Sequence, residues 1–297
     1  MPPSRYHLSI KHSSIFFDEC FFLCGSEKMT DIVRYSEKKY YFQILKQLFN
    51  QPTGLNMKKT LLTSALFVLV FTLSAQMVPE ETEWYAPVPP KVEPGKTTGA
   101  APSDAIILFD GKNLSQWKGE KGDAPWAIRN GELTVKPGTG SIMTRQHFGD
   151  VQLHIEFKSP APEQHHGQNR GNSGIFLQSK YEVQVLDGDN NPTYVNGMVG
   201  SIYKQQAPLA NAYTRNGEWQ VYDIYWRAPR FGSGGILESP ALITVVLNGI
   251  LVQNNVELKG DTPYIGYPAY TPHGRLPLQL QDHGTEVAYR NIWIREL

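Results

Sequence analysis

The sequence predicts an all-β fold, a sandwich or barrel of antiparallel strands. Three observations carry this expectation. From Ile106 onward the chain breaks into short apolar or alternating runs separated by turn residues. Asn-Gly pairs at 130–131 and 248–249 each stand between two such runs, the strongest short-range signal for a hairpin. No segment sustains a 3.6-residue apolar period between helix caps. Many short strands with regular turn signals indicate a sandwich or barrel, and no solenoid or propeller period is present.

The elements follow in chain order. "IILF" (106–109) ends at Asp110-Gly111, and "WAIR" (126–129) and "ELTV" (132–135) flank the first Asn-Gly turn. "SIMT" (141–144) precedes "VQLHIEFK" (151–158). Alternation in the latter sends Val151, Leu153, Ile155 and Phe157 to one face and Gln152, His154, Glu156 and Lys158 to the other. "SGIFLQ", "YEVQVL" and "GSIY" (200–203) read as three further strands. "EWQVYDIYWR" (218–227) carries large apolar or aromatic residues on both faces, which suits a central strand covered on both sides or one lining an aromatic cleft. Tyr225 and Trp226 are expected in the core. "ALITVVLNGILVQ" turns at Asn248-Gly249, and "LPLQLQ" and "VAYRNIWIREL" complete the set.

The first third reads differently. Residues 57–76, "MKKTLLTSALFVLVFTLSAQ", have two lysines, an uncharged run from Thr60 to Ala75 and a small-residue end. That is the pattern of a secretory signal peptide. The run is 16 residues, short of the ~20 that span a bilayer core. Residues 1–56 are then expected to be a mis-called N-terminal extension, with translation starting at Met57. Residues 77–104 form a proline-rich lead-in that Trp84 and Tyr85 are expected to anchor, and 105–297 is the folded domain. The only cysteines, Cys20 and Cys24, precede Met57, so the mature chain has no thiol chemistry. Without residues 1–75 the chain keeps 19 Lys and Arg against 23 Asp and Glu, a net charge of −4. That balance argues against nucleic acid, whose phosphates reward clustered cations. The expected product is periplasmic or extracellular, with no stable membrane span after cleavage.

The polar residues concentrate in "NRGNSGIFLQSKYEVQVLDG". On a regular strand Glu182 and Gln184 share a face and Asp187 falls on the other. One bulge after Gln184 would bring Asp187 to the same face, and bulges often re-aim side chains at active sites. Asp187 has the alternative of opening the following turn. A carboxylate in a valine-rich strand needs a reason to be there, which makes Glu182 a catalytic candidate. Asn172 stands at the strand mouth. Arg170 has either a carboxylate partner or a sugar hydroxyl to bind. His165 and His166 are adjacent, which is not metal-ligand spacing. In "PLQLQDHG", Gln279 and Gln281 share a strand face, and amides suit hydroxyl recognition. His283 is a candidate acid or base beside it, and His273 a candidate contact for substrate. Trp219 offers an aromatic face to a sugar ring. The chain has no nucleophile elbow, P-loop or dinucleotide fingerprint.

Taken in order, "AIILFDGKNLSQW", "W-x-I-x-NGEL", "RGNSGIFLQSKYEVQVLD", "GSIYKQQAPLANA", "GEWQVYDIYW" and "LPLQLQDHG…YRNIWIREL" resemble the 3-keto-disaccharide hydrolase domain family. The resemblance spans about residues 80–297. It implies a concanavalin A-like jelly-roll sandwich of two antiparallel sheets, bacterial secretion, and hydrolysis of glycosides whose sugar carries a ketone at carbon 3. Similar β-glucanases carry an E-x-D-x-x-E strand motif, matched here by Glu182, Gln184 and Asp187. A C3 ketone acidifies the C2 hydrogen, so a base removes that proton, the C1 substituent is eliminated and water adds back. Glu182 or a histidine is expected as the base. Arg170, Lys204, Gln184 or a divalent metal is expected to stabilise the oxyanion, and Tyr203 beside Lys204 joins the substrate contacts. No cofactor is otherwise implied. A carbohydrate-binding module and an ordinary two-carboxylate glycosidase remain the competing readings.

Overall fold

The structure, a computed structural model, describes residues 79–161 and 165–297. The expected leader at 57–76, the segment ahead of it, and Cys20 and Cys24 lie outside the described residues. The chain divides into two units, Met1–Val88 and Pro89–Leu297. In the first, the described part is one short 3-10 turn, Pro79–Thr82, followed by Trp84 and Tyr85. Both rings are exposed. Among the described residues no helix is long and apolar enough to cross a membrane.

The second unit is a sandwich of two antiparallel sheets. One has eight strands: β1 (Ile106–Phe109), β4 (Ala127–Arg129), β5 (Glu132–Thr134), β7 (Val151–Lys158), β10 (Gln220–Arg227), β13 (Leu242–Leu247), β14 (Ile250–Glu257) and β16 (Ala288–Glu296). Its order is β14-β13-β10-β7-β16-β5-β4, with β1 also on β16. The other has six: β2 (Trp117–Gly119), β3 (Gly122–Asp123), β6 (Ile142–Phe148), β8 (Ser173–Leu177), β9 (Tyr181–Val185) and β15 (Leu276–Leu280). Its order is β3-β2-β6-β15-β8-β9. A two-stranded ribbon, β11 (Arg230–Phe231) with β12 (Leu237–Ser239), stands apart. This is the predicted jelly-roll arrangement.

Local chemistry explains the turns. Asn130 and Gly131, and Asn248 and Gly249, all have positive φ, as a type I′ hairpin requires. Between the sheets, Leu153, Ile155 and Phe157 of β7 meet Ile175 of β8 and Val183 and Val185 of β9, all at most 1% exposed. Each fully buried aliphatic or aromatic side chain contributes about 2 kcal/mol. Trp226 lies in this core, as expected, but Tyr225 is 43% exposed. β10 is central yet covered on one side only, because Tyr225 and Arg227 point to the outer face. "GSIY" is not a strand. It makes two isolated bridges, both at Ile202, one to Val183 along the free edge of β9 and one to Gln206.

A polar latch closes the outer face of the eight-stranded sheet over the lead-in. His154 Nδ1 lies 2.7 Å from Asp223 Oδ1 on β10, and its ring stacks on Trp293 at 5.2 Å. The β7–β16 register shifts between Arg290 and Trp293. There Asn291, at φ 45°, donates to Glu156 Oε1 at 2.8 Å and to Gly99 O at 2.9 Å. Trp293 Nε1 also donates to Gly99 O, at 2.9 Å. Gly99 has φ +79°, and an added Cβ would lie 3.1 Å from the His154 ring. Burial alone would lower the imidazole's pKa, but hydrogen bonds and charge from Asp223 and Glu156 outweigh it and push His154 up to about 9. Burial would likewise raise Glu156, but His154, Asn291 and Arg290 hold it at about 2.

The signs set the pH response. A raised His154 contributes stability that is fully present below its unfolded value of 6.5 and is lost as pH rises through about 9. A lowered Glu156 contributes stability that is present above 4.5 and is lost as pH falls through about 2. Thermal melts from pH 6 to 10 are expected to show falling stability that His154→Gln flattens. At pH 6 that variant is expected to be less stable by roughly 3 kcal/mol, the scale for breaking a buried charge pair.

Candidate active site

The β8–β9 hairpin builds the cleft. Alternation sends Ile175 and Leu177 of β8 and Tyr181, Val183 and Val185 of β9 into the core. The intervening residues, Gly174 and Phe176 on β8 and Glu182 and Gln184 on β9, therefore face the other side of the six-stranded sheet. Their register pairs Gly174 with Gln184 and Phe176 with Glu182. Gly174 makes room for the carboxyl: a Cβ there would lie 2.5 Å from Glu182 Oε1 and 2.7 Å from the Phe176 ring. Gln281 extends the floor beyond β15, its backbone N–H bonded to Gly174 O at 3.0 Å.

Two loops raise the walls. Residues 200–206 run along β9, with Gln184 N donating to Ser201 O at 3.0 Å and Tyr203 N to Glu182 O at 3.1 Å. This brings Tyr203 to the cleft, where its hydroxyl meets that of Tyr194 at 2.7 Å. Thr262 accepts from Glu182 N at 3.1 Å, and Tyr264 follows it. The turn carrying His283 is held by Asp282, which accepts from Gly140 N at 3.0 Å and Gly284 N at 2.9 Å. The resulting cleft has a volume of about 200 Å³, and Asn172, Glu182, Gln184, Tyr203, Gln281 and His283 line it together with Phe176, Thr262 and Tyr264.

Glu182 sets the chemistry. It is 5% exposed, and among the described residues no group donates a hydrogen bond to its carboxyl. Burial without compensation pushes it up to about 8. Gln184 is 1% exposed. Its Nε2 lies 3.3 Å from both Gln168 Oε1 and Asn172 Oδ1, while its Oε1 has no partner among the described residues. Tyr203 is raised, first by burial and then by Tyr194, so its hydroxyl stays protonated.

The remaining predicted residues lie elsewhere. The β8–β9 register runs unbroken and the strand ends at Val185, so no bulge turns Asp187 into the cleft. Asp187 is fully buried. Its carboxylate takes a 2.8 Å bond from Arg170 Nε, a 2.9 Å bond from Asp189 N and a further bond from Asn216 Nδ2. It opens the turn and fastens the preceding loop, and Arg170 is occupied by it rather than by a sugar. Lys204 Nζ bonds the Tyr264 carbonyl and sits 4.4 Å from that ring's centroid, so it braces the wall. His273 is outside the cleft, held between Tyr181 Oη at 2.8 Å and Gly274 O at 2.7 Å. Trp219 packs under Arg290 and Lys158 at 4.1 and 4.6 Å to its ring. Among the described residues no group of three or more His, Cys, Asp or Glu is placed to hold a metal ion.

The sequence reading missed Phe176, Thr262, Tyr264 and Gly174. Phe176 and Gly174 were legible, because the alternation that sends Ile175 into the core turns both to the opposite face, and glycine inside a strand marks close approach. Thr262 and Tyr264 belong to an aperiodic loop that carries no such signal.

A family model for the 3-keto-alpha-glucoside-1,2-lyase-like domain matches residues 104–295. Among solved structures, a candidate glycosyl hydrolase from Parabacteroides distasonis ATCC 8503 is 47% identical, with a TM-score of 0.71 over 83% of this chain and 100% of its own. A second candidate glycosyl hydrolase from the same organism is 20% identical, with a TM-score of 0.51 over 70% of this chain and 100% of its own, and shares the fold. A comparison with curated proteins finds no match.

Asp187→Asn is expected to cost about 3 kcal/mol in denaturant unfolding, since it strands a part-buried Arg170, while leaving the cleft intact. Gly174→Ala is expected to displace the Glu182 carboxyl toward water. NMR titration of labelled glutamate is then expected to show its pKa falling from about 8 toward the ordinary carboxylate range.

Proposed function

Since the chain belongs to the 3-keto-alpha-glucoside-1,2-lyase-like family, we propose that this carbohydrate-active domain cleaves 3-keto-glycosides by elimination across C1 and C2. One observation carries the reading: a single buried carboxyl, Glu182, faces the cleft with no hydrogen-bond donor and a pKa near 8. A group poised near neutral pH is suited to general-base work.

The C3 carbonyl makes the C2 hydrogen acidic. Glu182, in its carboxylate form, takes that proton, and the electron pair delocalises onto O3. The Tyr203 hydroxyl is the donor offered to that oxygen, taking the place expected of Arg170, Lys204 and Gln184. Collapse of the enolate forms the C1–C2 double bond and breaks the C1–O bond. His283, at the exposed mouth, supplies the proton that the leaving oxygen needs. Addition of water across the new double bond would complete hydrolysis, and the elimination alone is a lyase reaction.

The two-carboxylate alternative loses its support here. Double displacement or inversion needs a second carboxyl across the glycosidic bond, and among the residues lining the cleft Glu182 is the only acid. The expected leader supports action outside the cytoplasm.

Glu182→Gln is expected to lower kcat on a 3-keto-glucoside by about 10²–10⁴-fold, with the unoxidised glucoside uncleaved by either protein. The wild-type kcat/KM is expected to rise with pH through an apparent pKa near 8. Cleavage by the variant at the wild-type rate would remove Glu182 as the base.

A further inference from the structure

The amide network beneath the cleft has a fixed direction. Gly197 O can only accept, so Gln168 must turn its NH2 toward it, at 2.8 Å, and toward Thr193 Oγ1, also at 2.8 Å. Gln168 Oε1 is thereby left facing Gln184. The Gln168 backbone carbonyl can only accept too, so Asn172 turns its NH2 there, at 2.6 Å. Asn172 Oδ1 is then also left facing Gln184. Both oxygens lie 3.3 Å from Gln184 Nε2 and take its two protons. Two backbone carbonyls thus decide which end of the Gln184 amide is left without a partner among the described residues, and it is the oxygen.

That oxygen is buried and unpartnered, and Gln281 Oε1, on the same cleft, is buried and unpartnered as well. An unsatisfied buried acceptor is costly, so a ligand that brings a donor is favoured there. A divalent cation takes six to eight oxygen ligands, usually with several carboxylates among them, and Glu182 is the one acid among the residues that line the cleft. Sugar hydroxyls are uncharged donors that fit.

Resting on the glycoside reading above, we propose that Gln184 is a specificity residue that accepts a hydrogen bond from one free ring hydroxyl, and that Gln168 is the positioning residue that locks it as acceptor only. The substrate is then a pyranoside whose hydroxyl at that ring position is unmodified. A ring oxidised, methylated or fluorinated there presents no proton and is refused. The ketone itself cannot face Gln184, so it is turned toward donors among the other lining residues, Tyr203 and His283.

The test is binding, by calorimetry, of monodeoxy and monodeoxyfluoro analogues of the unoxidised parent glycoside to wild type, Gln184→Met and Gln168→Leu. Circular dichroism confirms that each variant is folded. In wild type, one ring position is expected to stand out, with its deoxy and deoxyfluoro analogues both weaker by at least about tenfold. Gln184→Met is expected to erase discrimination at that position alone. Gln168→Leu frees the amide to flip, so the deoxyfluoro analogue is expected to bind better than the deoxy, since fluorine accepts where hydrogen cannot. A purely structural role for Gln168 would weaken every analogue by one factor and leave that ranking unchanged.

The proposal is overturned if no ring position stands out, if Gln184→Met keeps full discrimination, if no analogue binds, or if binding requires added Ca²⁺ or Mn²⁺. These readouts need no turnover. Failure to cleave any 3-keto-glycoside would sink the lyase reading alone, and cleavage without hydroxyl discrimination would sink this one alone.

Discussion

Two-residue alternation along one hairpin ties the core to the cleft. Tyr181, Val183 and Val185 are buried between the sheets, and Glu182 and Gln184 are turned to the other face by the same backbone. A slip of one residue would place a carboxyl and an amide in the core, so hydrophobic burial fixes the register on which the site depends. The cleft inherits its precision from the core. The loops that wall it, at 200–206 and around Thr262, dock onto the backbone of β9 and onto one another, Lys204 bonding the Tyr264 carbonyl and Gln205 the Gly260 carbonyl.

Buried carboxyls in this fold are treated in opposite ways. Glu156 accepts from Arg290 and Asn291 beside His154 and is held at about 2. Asp187 is saturated by Arg170, Asn216 and a backbone N–H. Both serve as fasteners, one for the lead-in at Gly99 and one for the loop before β8. Glu182 receives nothing and is lifted to about 8. The missing donors, rather than burial itself, separate a group available for proton transfer from two groups that hold the chain in place.

The amides show the same division. Gln168 donates to the Gly197 carbonyl and the Thr193 hydroxyl, Asn172 donates to the Gln168 carbonyl, and both pass their acceptors to Gln184. The cleft floor therefore offers oxygen atoms, and its donors come from the rim, at Tyr203 and His283. On the proposed reading, the hydroxyls of a ketosugar would meet those oxygens and its carbonyl would meet those donors.

The sequence by itself determined the longer strands, the Asn-Gly hairpins and the faces of β7, β8 and β9, because these depend on local turn chemistry and a period of two. Glu182, Gln184, Asn172 and Gln281 were legible for that reason, as polar residues on strands or strand mouths whose other face is apolar. Tertiary structure decided everything that depends on partners distant in the chain. Asp187 was claimed by Arg170 and Asn216, His273 by Tyr181, and Trp219 by Lys158 and Arg290. It also brought Thr262 and Tyr264 to the cleft from an aperiodic loop. The physical reason is that a strand's pattern tells which side a group faces, whereas its charge state and its freedom to react depend on which donors the fold brings within about 3 Å.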